Sequence, residues 1–575
     1  MGVTGNAAPG WREAVGWLKE IVGPDAAYVR LGLVYTVAIS LLSLATPISV
    51  QLLINSVANT ALPAPLWTLA GVLFLLLLLV AALSAFRVHL MAAFERRIFA
   101  RVVAEITIRA VHAQNPFFSD ERRGDLFNRY FDLGVVQKAV PSLVIGAFTI
   151  VLQGAVGLVL TSFYHPFFLA FNTVLLLALL CVWLVWRRGA ITAAVALSHA
   201  KHDTARWLES VGGSNGFYKS SRHLGFAMDR SEEATAAYVG AHRRYFRYSF
   251  AQTLSFLLIY ATASAALLAL GGNLILAGEL SIGQLVAAEL ILSGVFYGVS
   301  QLGWYLDTLY DLVASSEELS LLFAIPQEKG GAAAGAARAA GPGDGALSMT
   351  GVELDGARFD FALRAGERLV TVAEPGAERA LALVLKRHAA PTRGLVSIGG
   401  ADLGSLDMYL LRSEVMVLDR PAIVEVTIRD YLLLAAAGRG EHAGGAAMLD
   451  ALAAVGLRDR VAALPQGLDT PLASSGHPLG LGEMMALKLA NALIVGPKLL
   501  VLGQLYDLLP PGRLQAVLRL LKAAGTTTLL CTGRPEDVAL DGWFHLGLTA
   551  QRRFATLDAL RAHLGWREGA DAVPA

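Results

Sequence analysis

The sequence predicts an α-helical membrane domain of six transmembrane helices with long cytoplasmic extensions, followed by an α/β domain. Three observations predict it. The 575-residue chain is 55% hydrophobic and only 16% charged, a balance too apolar for an ordinary soluble protein. Its first half carries six apolar runs of about 20 residues, the length a bilayer core demands. In its second half these runs stop, and short β-rich strands alternate with helical stretches.

The spans are expected near 29–54, 64–88, 140–162, 166–187, 250–272 and 281–305. Short, nearly uncharged turns join them in pairs, at Ala61–Pro65, Phe163–Pro166 and Gly271–Glu279. The longer segments between pairs are rich in Arg and Lys, from Arg87 to Lys138 and from Arg187 to Arg247. Such residues concentrate in cytoplasmic loops. The long segments and both termini are therefore expected in the cytoplasm, the short turns outside. A helical period continues through both long segments, with breaks expected at Gln114–Gly124, around Pro116, and at the glycine-rich Gly212–Tyr218.

The net charge of +1 gives no general attraction to nucleic acid, and no nucleic-acid partner is expected. Cys181 lies in an apolar run and Cys531 in an expected buried strand, so neither a disulfide framework nor a zinc site is indicated. The 12 histidines show no metal-ligand spacing. The start has no signal-peptide core, and MGVTGN only loosely resembles a myristoylation pattern.

Composition divides the chain into a membrane domain at 1–326, a Gly/Ala-rich linker at 327–346 and an α/β domain at 347–575. Strands are expected at Leu369–Ala373, Gly394–Gly400, Val415–Leu418, Lys498–Gly503 and Thr527–Thr532, with a largely parallel core. The run VTVAEPGAERALALVL, Val370–Leu385, is a strand, a loop and a helix. That is the frame of a phosphate-binding loop, so the domain reads as P-loop-NTPase-like. The loop nevertheless has one glycine, two glutamates and no Gly-Lys-Ser/Thr.

Several stretches carry a family likeness in their order and spacing: Ala365–Val372, Thr427–Leu432, Leu464–Leu472, Leu489–Leu493 and Pro497–Leu502, with Pro116–Phe118 through Gly124–Leu126 in the membrane half. Over nearly its whole length the chain resembles a half-transporter of the ABC exporter type. The resemblance implies a dimer with a second half-transporter, either a second copy or an intact heterodimer partner. It also implies contact with membrane lipid, a transported substrate that the sequence does not identify, and a bacterial inner membrane. Each ATP of such a dimer lies between two nucleotide domains, one supplying the phosphate loop and metal ligands, the other the signature motif.

Carried over residue by residue, the resemblance places Gly376, Arg379 and Ala380 in the phosphate loop, the last two at its Lys and Ser/Thr positions. Arg379 is a wider planar group than lysine. Ala380 has no oxygen for Mg2+, Pro375 removes one N–H, and Glu374 and Glu378 put negative charge beside a triphosphate. The metal-ligand and base positions read Gly503 and Gln504. Asp419 stands at the Q-loop glutamine and Gly533 at the switch histidine. The signature reads Leu479-Gly480-Leu481-Gly482-Glu483, where Leu481 obstructs backbone approach to phosphate and Glu483 adds the wrong sign. The aromatic residue that stacks on adenine has no counterpart, because Gly351–Gly356 is short, and Asp507–Pro510 departs from the D-loop. Each lost charge-assisted hydrogen bond is worth about 1.5–3 kcal/mol. In the sixth span, Glu289 is a candidate for a substrate path.

The expectation is an export subunit whose ATPase domain is inactive. No cofactor is expected, or ATP and Mg2+ if the nucleotide site survives. Two alternatives are a non-transporting membrane scaffold or regulator and an active ATP-driven exporter with atypical motifs.

Overall fold

A computed structural model describes residues 11–60, 63–114, 124–279, 282–328, 341–436 and 445–566. The MGVTGN start, most of the expected break at Gln114–Gly124 and residues 329–340 of the expected linker lie outside the described residues. The chain divides into two compact units, Met1–Gln327 and Glu328–Ala575.

The first unit is helical. It comprises α1 (Trp11–Val22), α2 (Ala26–Leu42), α3 (Ala45–Thr60), α4 (Pro63–Val111), α5 (Leu133–Ser142), α6 (Phe148–Ser162), α7 (Pro166–Gly213), α8 (Ser221–Leu276) and α9 (Ile282–Phe323). Among the described residues six segments are long and apolar enough to cross a membrane: Arg12–Leu53, Leu66–Val111, Leu126–Ser162, Pro166–Gly213, Ser221–Leu276 and Gln284–Phe323. The helix α8 has 56 residues. At 1.5 Å per residue it is roughly 84 Å long against a hydrocarbon core of about 30 Å. The spans therefore continue as helices well past their apolar stretches. Within the third span, Pro141 near the end of α5 precedes a π-helical turn, Leu143–Ala147, as a residue that cannot donate to the helix ladder favours.

The break after α7 falls at the expected glycines. Gly213 ends the helix, a 3-10 turn occupies Phe217–Lys219, and the Ser220 hydroxyl caps α8 by accepting the His223 N–H at 3.3 Å. The expected turn at Gly271–Glu279 falls in the second half of that stretch: the helix runs on through Gly271-Gly-Asn273 to Leu276, and Gly278, at φ 75°, makes the turn. Gly271 serves packing: a Cβ there would lie 2.8 Å from Leu285 Cδ1 on α9. Gly157 against Ile291 is a second such notch. Polar side chains bond across helices in the same unit. Gln153 donates to Ser43 Oγ at 3.1 Å, Asn172 to the Leu158 carbonyl at 2.9 Å, and Tyr310 to Gln252 Oε1 at 3.1 Å.

The second unit contains two sheets. A six-stranded sheet has the order β10-β9-β3-β8-β7-β6, built from β3 (Arg368–Ala373), β6 (Val415–Leu418), β7 (Leu499–Leu502), β8 (Thr527–Cys531), β9 (Gly542–Leu546) and β10 (Gln551–Phe554). All its pairings are parallel except that of β10 with β9. Every residue of β7 and β8 is buried, as parallel strands covered on both faces require. The expected strand Gly394–Gly400 belongs elsewhere. As β4 (Arg393–Ile398) it joins an antiparallel sheet of order β2-β1-β4-β5, with β1 (Leu347–Leu354), β2 (Ala357–Leu363) and β5 (Ala401–Asp402). Three of its six residues are exposed, which a half-covered strand tolerates. The short loop between β1 and β2 is a two-residue hairpin turn, Asp355 and Gly356, both at positive φ.

Around the sheets lie α10 (Ala377–Leu385), α11 (Met408–Glu414), α12 (Ile428–Ala436), α13 (Gly445–Ala454), α14 (Arg458–Ala462), α15 (Leu481–Val495), α16 (Pro511–Ala523) and α17 (Leu557–Leu564). One core joins α12, α13, α15 and α16 to β7; another joins α10 to β1, β2, β3 and β4.

Candidate nucleotide site

The loop from β3 to α10 is Glu374-Pro375-Gly376. Gly376, at φ 90°, begins α10 from a left-handed conformation that suits only glycine without strain. Glu374 is tied down at both ends: its N–H donates to the Leu546 carbonyl at 2.9 Å, and its Oε2 accepts the Leu548 N–H at 2.7 Å. Ala377 and Ala380 are buried and their methyl groups belong to the core behind the helix. Between them on the helix, Glu378 is half-buried and Arg379 exposed.

The Glu378 side chain reaches back over the end of β7. A Cβ placed at Gly503 would lie 2.5 Å from its Oε1. The carboxylate also accepts the Gln504 backbone N–H. Burial pushes this carboxyl above its ordinary value, Asp419 and Asp507 add to the effect, and the Gln504 N–H opposes it. Gly503 donates its own N–H to the Leu418 carbonyl at 3.0 Å, which draws the strand ends together. Asp419, next along from β6, accepts the ammonium of Lys386 at the end of α10.

Beyond Gly503 the chain makes a short 3-10 turn, Gln504–Leu508. Gln504 fills the space in front of Gly533, where a Cβ would lie 2.7 Å from Gln504 Nε2. Asp507 holds the loop after β8. Its Oδ1 accepts the Thr532 hydroxyl at 2.5 Å, its Oδ2 accepts the Gly533 N–H at 2.9 Å, and its carbonyl accepts the Arg534 guanidinium.

The signature stretch starts α15, with Gly480 as the residue before its first turn and Leu481 exposed. Glu483 folds back on that start. Its Oε2 accepts the Gly480 N–H at 2.9 Å and its Oε1 accepts Arg460 Nε at 2.9 Å. A Cβ on Gly482 would lie 3.7 Å from the Leu508 carbonyl, so the helix start abuts the 504–508 turn.

Glu378, Gly503, Gln504, Gly533 and Asp419 thus come together where the resemblance places a triphosphate. Reading the sequence alone misses the bonding partners that hold the site's acidic residues, Lys386 for Asp419, Arg460 for Glu483, Thr532 for Asp507 and Leu548 for Glu374, because no motif spacing links them to the loop. In the first unit, Glu289 is exposed rather than enclosed among the chain's own helices, and accepts the Ser293 hydroxyl at 3.3 Å. The buried stripe of α9 runs through Ala288, Leu292, Val295 and Phe296, and Glu289 stands off it.

The chain has the fold of an ABC exporter: six candidate membrane helices and an α/β sheet domain. A solved bacterial Atm1-family ABC exporter with ATP bound matches it with a TM-score of 0.77 at 19% identity, over 96% of this chain and 100% of that one. Over 492 residues the sequence is 22% identical to the leukotoxin translocation ATP-binding protein LktB of Mannheimia haemolytica, covering 82% of this chain and 67% of that protein. The Mannheimia glucosida protein of the same name matches to the same extent. No protein-family model matches the chain.

Proposed function

We propose that this chain is an integral membrane subunit of an ABC exporter, working as a dimer with a second half-transporter, and that its own nucleotide site neither binds nor hydrolyses MgATP. The exporter fold supports the first part, as does similarity to a protein named for translocation. The distribution of Arg and Lys supports an inner-membrane arrangement with both termini in the cytoplasm.

One observation carries the second part: Glu378 lies against Gly503 and Gln504 against Gly533, so the chain's own side chains occupy the room beside both glycines, and Glu378 is held there by the Gln504 backbone N–H. A magnesium triphosphate does not fit these residues. Mg2+ needs oxygen ligands, and positions 380 and 503 offer an alanine and a glycine. The charges facing the loop include Glu374, Glu378 and Asp507, which repel phosphate. At the other motif, ATP held by an intact partner would meet Leu481 and the Glu483–Arg460 pair instead of an open helix start. Substrate movement in such a pair would draw on the partner's chemistry.

The test is nucleotide binding by the purified full-length chain, alone and with its co-purified partner. No Mg2+-dependent ATP binding by the chain alone is the expected result. Micromolar binding that requires Mg2+ and is lost on Arg379→Ala would overturn the proposal in favour of an active exporter.

A further inference from the structure

Past its apolar stretch, α7 carries His199 about three turns beyond Arg188. Near its own end, α9 carries Glu317 and Glu318. These three side chains converge although 118 positions separate His199 from Glu317. The His199 Nε2 lies 3.0 Å from Glu317 Oε2 and 3.7 Å from Glu318 Oε1, and one ligand atom of each residue lies within 4.8 Å of the others.

A second observation points to a ligand. Glu318 is 0% exposed, and its Oε1 has no hydrogen-bond partner. Its other oxygen pairs with the Arg129 guanidinium. At 3.7 Å the imidazole is too far for a hydrogen bond to Oε1. A fully buried carboxylate oxygen is therefore aimed at a ring nitrogen it does not bond.

We propose that His199, Glu317 and Glu318 form a divalent transition-metal site of the Zn2+ type, tying the far end of α7 to that of α9. One imidazole and two carboxylates are a ligand set for such an ion, and three protein ligands leave a position for water. Arg129 on the distal oxygen of Glu318 orients that ligand from behind. A neighbouring polar knot holds the same elements in register: Asp132 accepts Lys201 at 2.7 Å, His202 at 2.5 Å and Ser315 at 3.4 Å. The half-exposed His199 ring gives the ion a way in. An imidazole-containing set favours Zn2+ over Mg2+.

The test uses the full-length chain, freed of any affinity tag, stripped with a chelator and titrated with Zn2+ against a chromophoric competitor. One Zn2+ per chain is expected, not displaced by excess Mg2+, with a rise in melting temperature on loading. His199→Ala and Glu317→Gln should each weaken binding at least about tenfold. Because both side chains are in part solvent-accessible, the metal-free melting temperature should hold while the Zn2+-induced rise disappears. A purely structural role would do the reverse, lowering the metal-free melting temperature and leaving the Zn2+ response intact. Absence of stoichiometric Zn2+, displacement by Mg2+, or unchanged affinity in both variants would overturn the proposal.

Discussion

The Glu378 carboxylate lies over Gly503, so that a Cβ at position 503 would come 2.5 Å from its Oε1 and 3.2 Å from the Asp419 Cα. Restoring an aspartate at 503 therefore collides with a side chain and with backbone. The fourfold change Arg379→Lys, Ala380→Ser, Gly503→Asp and Gln504→Glu is expected to give no MgATP binding and to lose about 1–3 kcal/mol of stability by overpacking. Adding Glu378→Gly should recover stability and allow Mg2+-dependent binding of a fluorescent ATP analogue. Equal binding by the fourfold and fivefold variants would show that the Glu378–Gly503 contact does not block the site.

The same logic applies to Gly533. Gly533→His brings its Cβ within 2.7 Å of Gln504 Nε2 and should cost about 1–3 kcal/mol in a denaturation assay. Gln504→Ala in the same chain should return most of that loss. A strictly additive double-mutant cycle would deny the coupling.

His388 gives the soluble unit a pH response. It lines a cavity of about 320 Å3 beside β6, with Lys386 and Arg412. Burial, then those two cations, lower its pKa to about 4, so the folded state holds it neutral. The unfolded chain takes up a proton near its ordinary value of about 6.5. Stability should therefore fall as pH drops from about 6.5 to about 4 and gain nothing from this residue above that window. His388→Gln should flatten that part of a melting-temperature profile; an unaltered slope would assign the response to other groups.

Two neighbouring glycines separate packing from turn formation. Gly271→Val drives a side chain into Leu285 and should destabilise the membrane unit by about 1–3 kcal/mol. Gly272→Val has nothing within 4 Å of its Cβ and should change thermal stability by no more than about 0.5 kcal/mol. Similar losses at both positions would contradict the notch on α8.

Features set by local sequence were legible in advance. The apolar runs place the membrane helices, and Gly212-Gly213 marks the break before α8. What failed depended on neighbours distant in sequence. Within the expected turn Gly271–Glu279, the part at Gly271-Gly-Asn273 is helical, and Gly271 packs against Leu285. The apolar stretch Gly394–Gly400 reads like the parallel strands, and only its partner β1 puts it in an antiparallel sheet. In the candidate nucleotide site the residues at the expected motif positions were visible one by one. That Glu378 occupies the room beside Gly503, and that Lys386 answers Asp419, are relationships between segments that no motif spacing encodes.

The unbroken course of α8, Ser221 to Leu276, has a mechanical consequence. A rod of roughly 84 Å carries rotation from one tip to the other without a joint to absorb it. A swing of about 5° at one extremity shifts the opposite one by some 7 Å, more than a full helical pitch of about 5.4 Å.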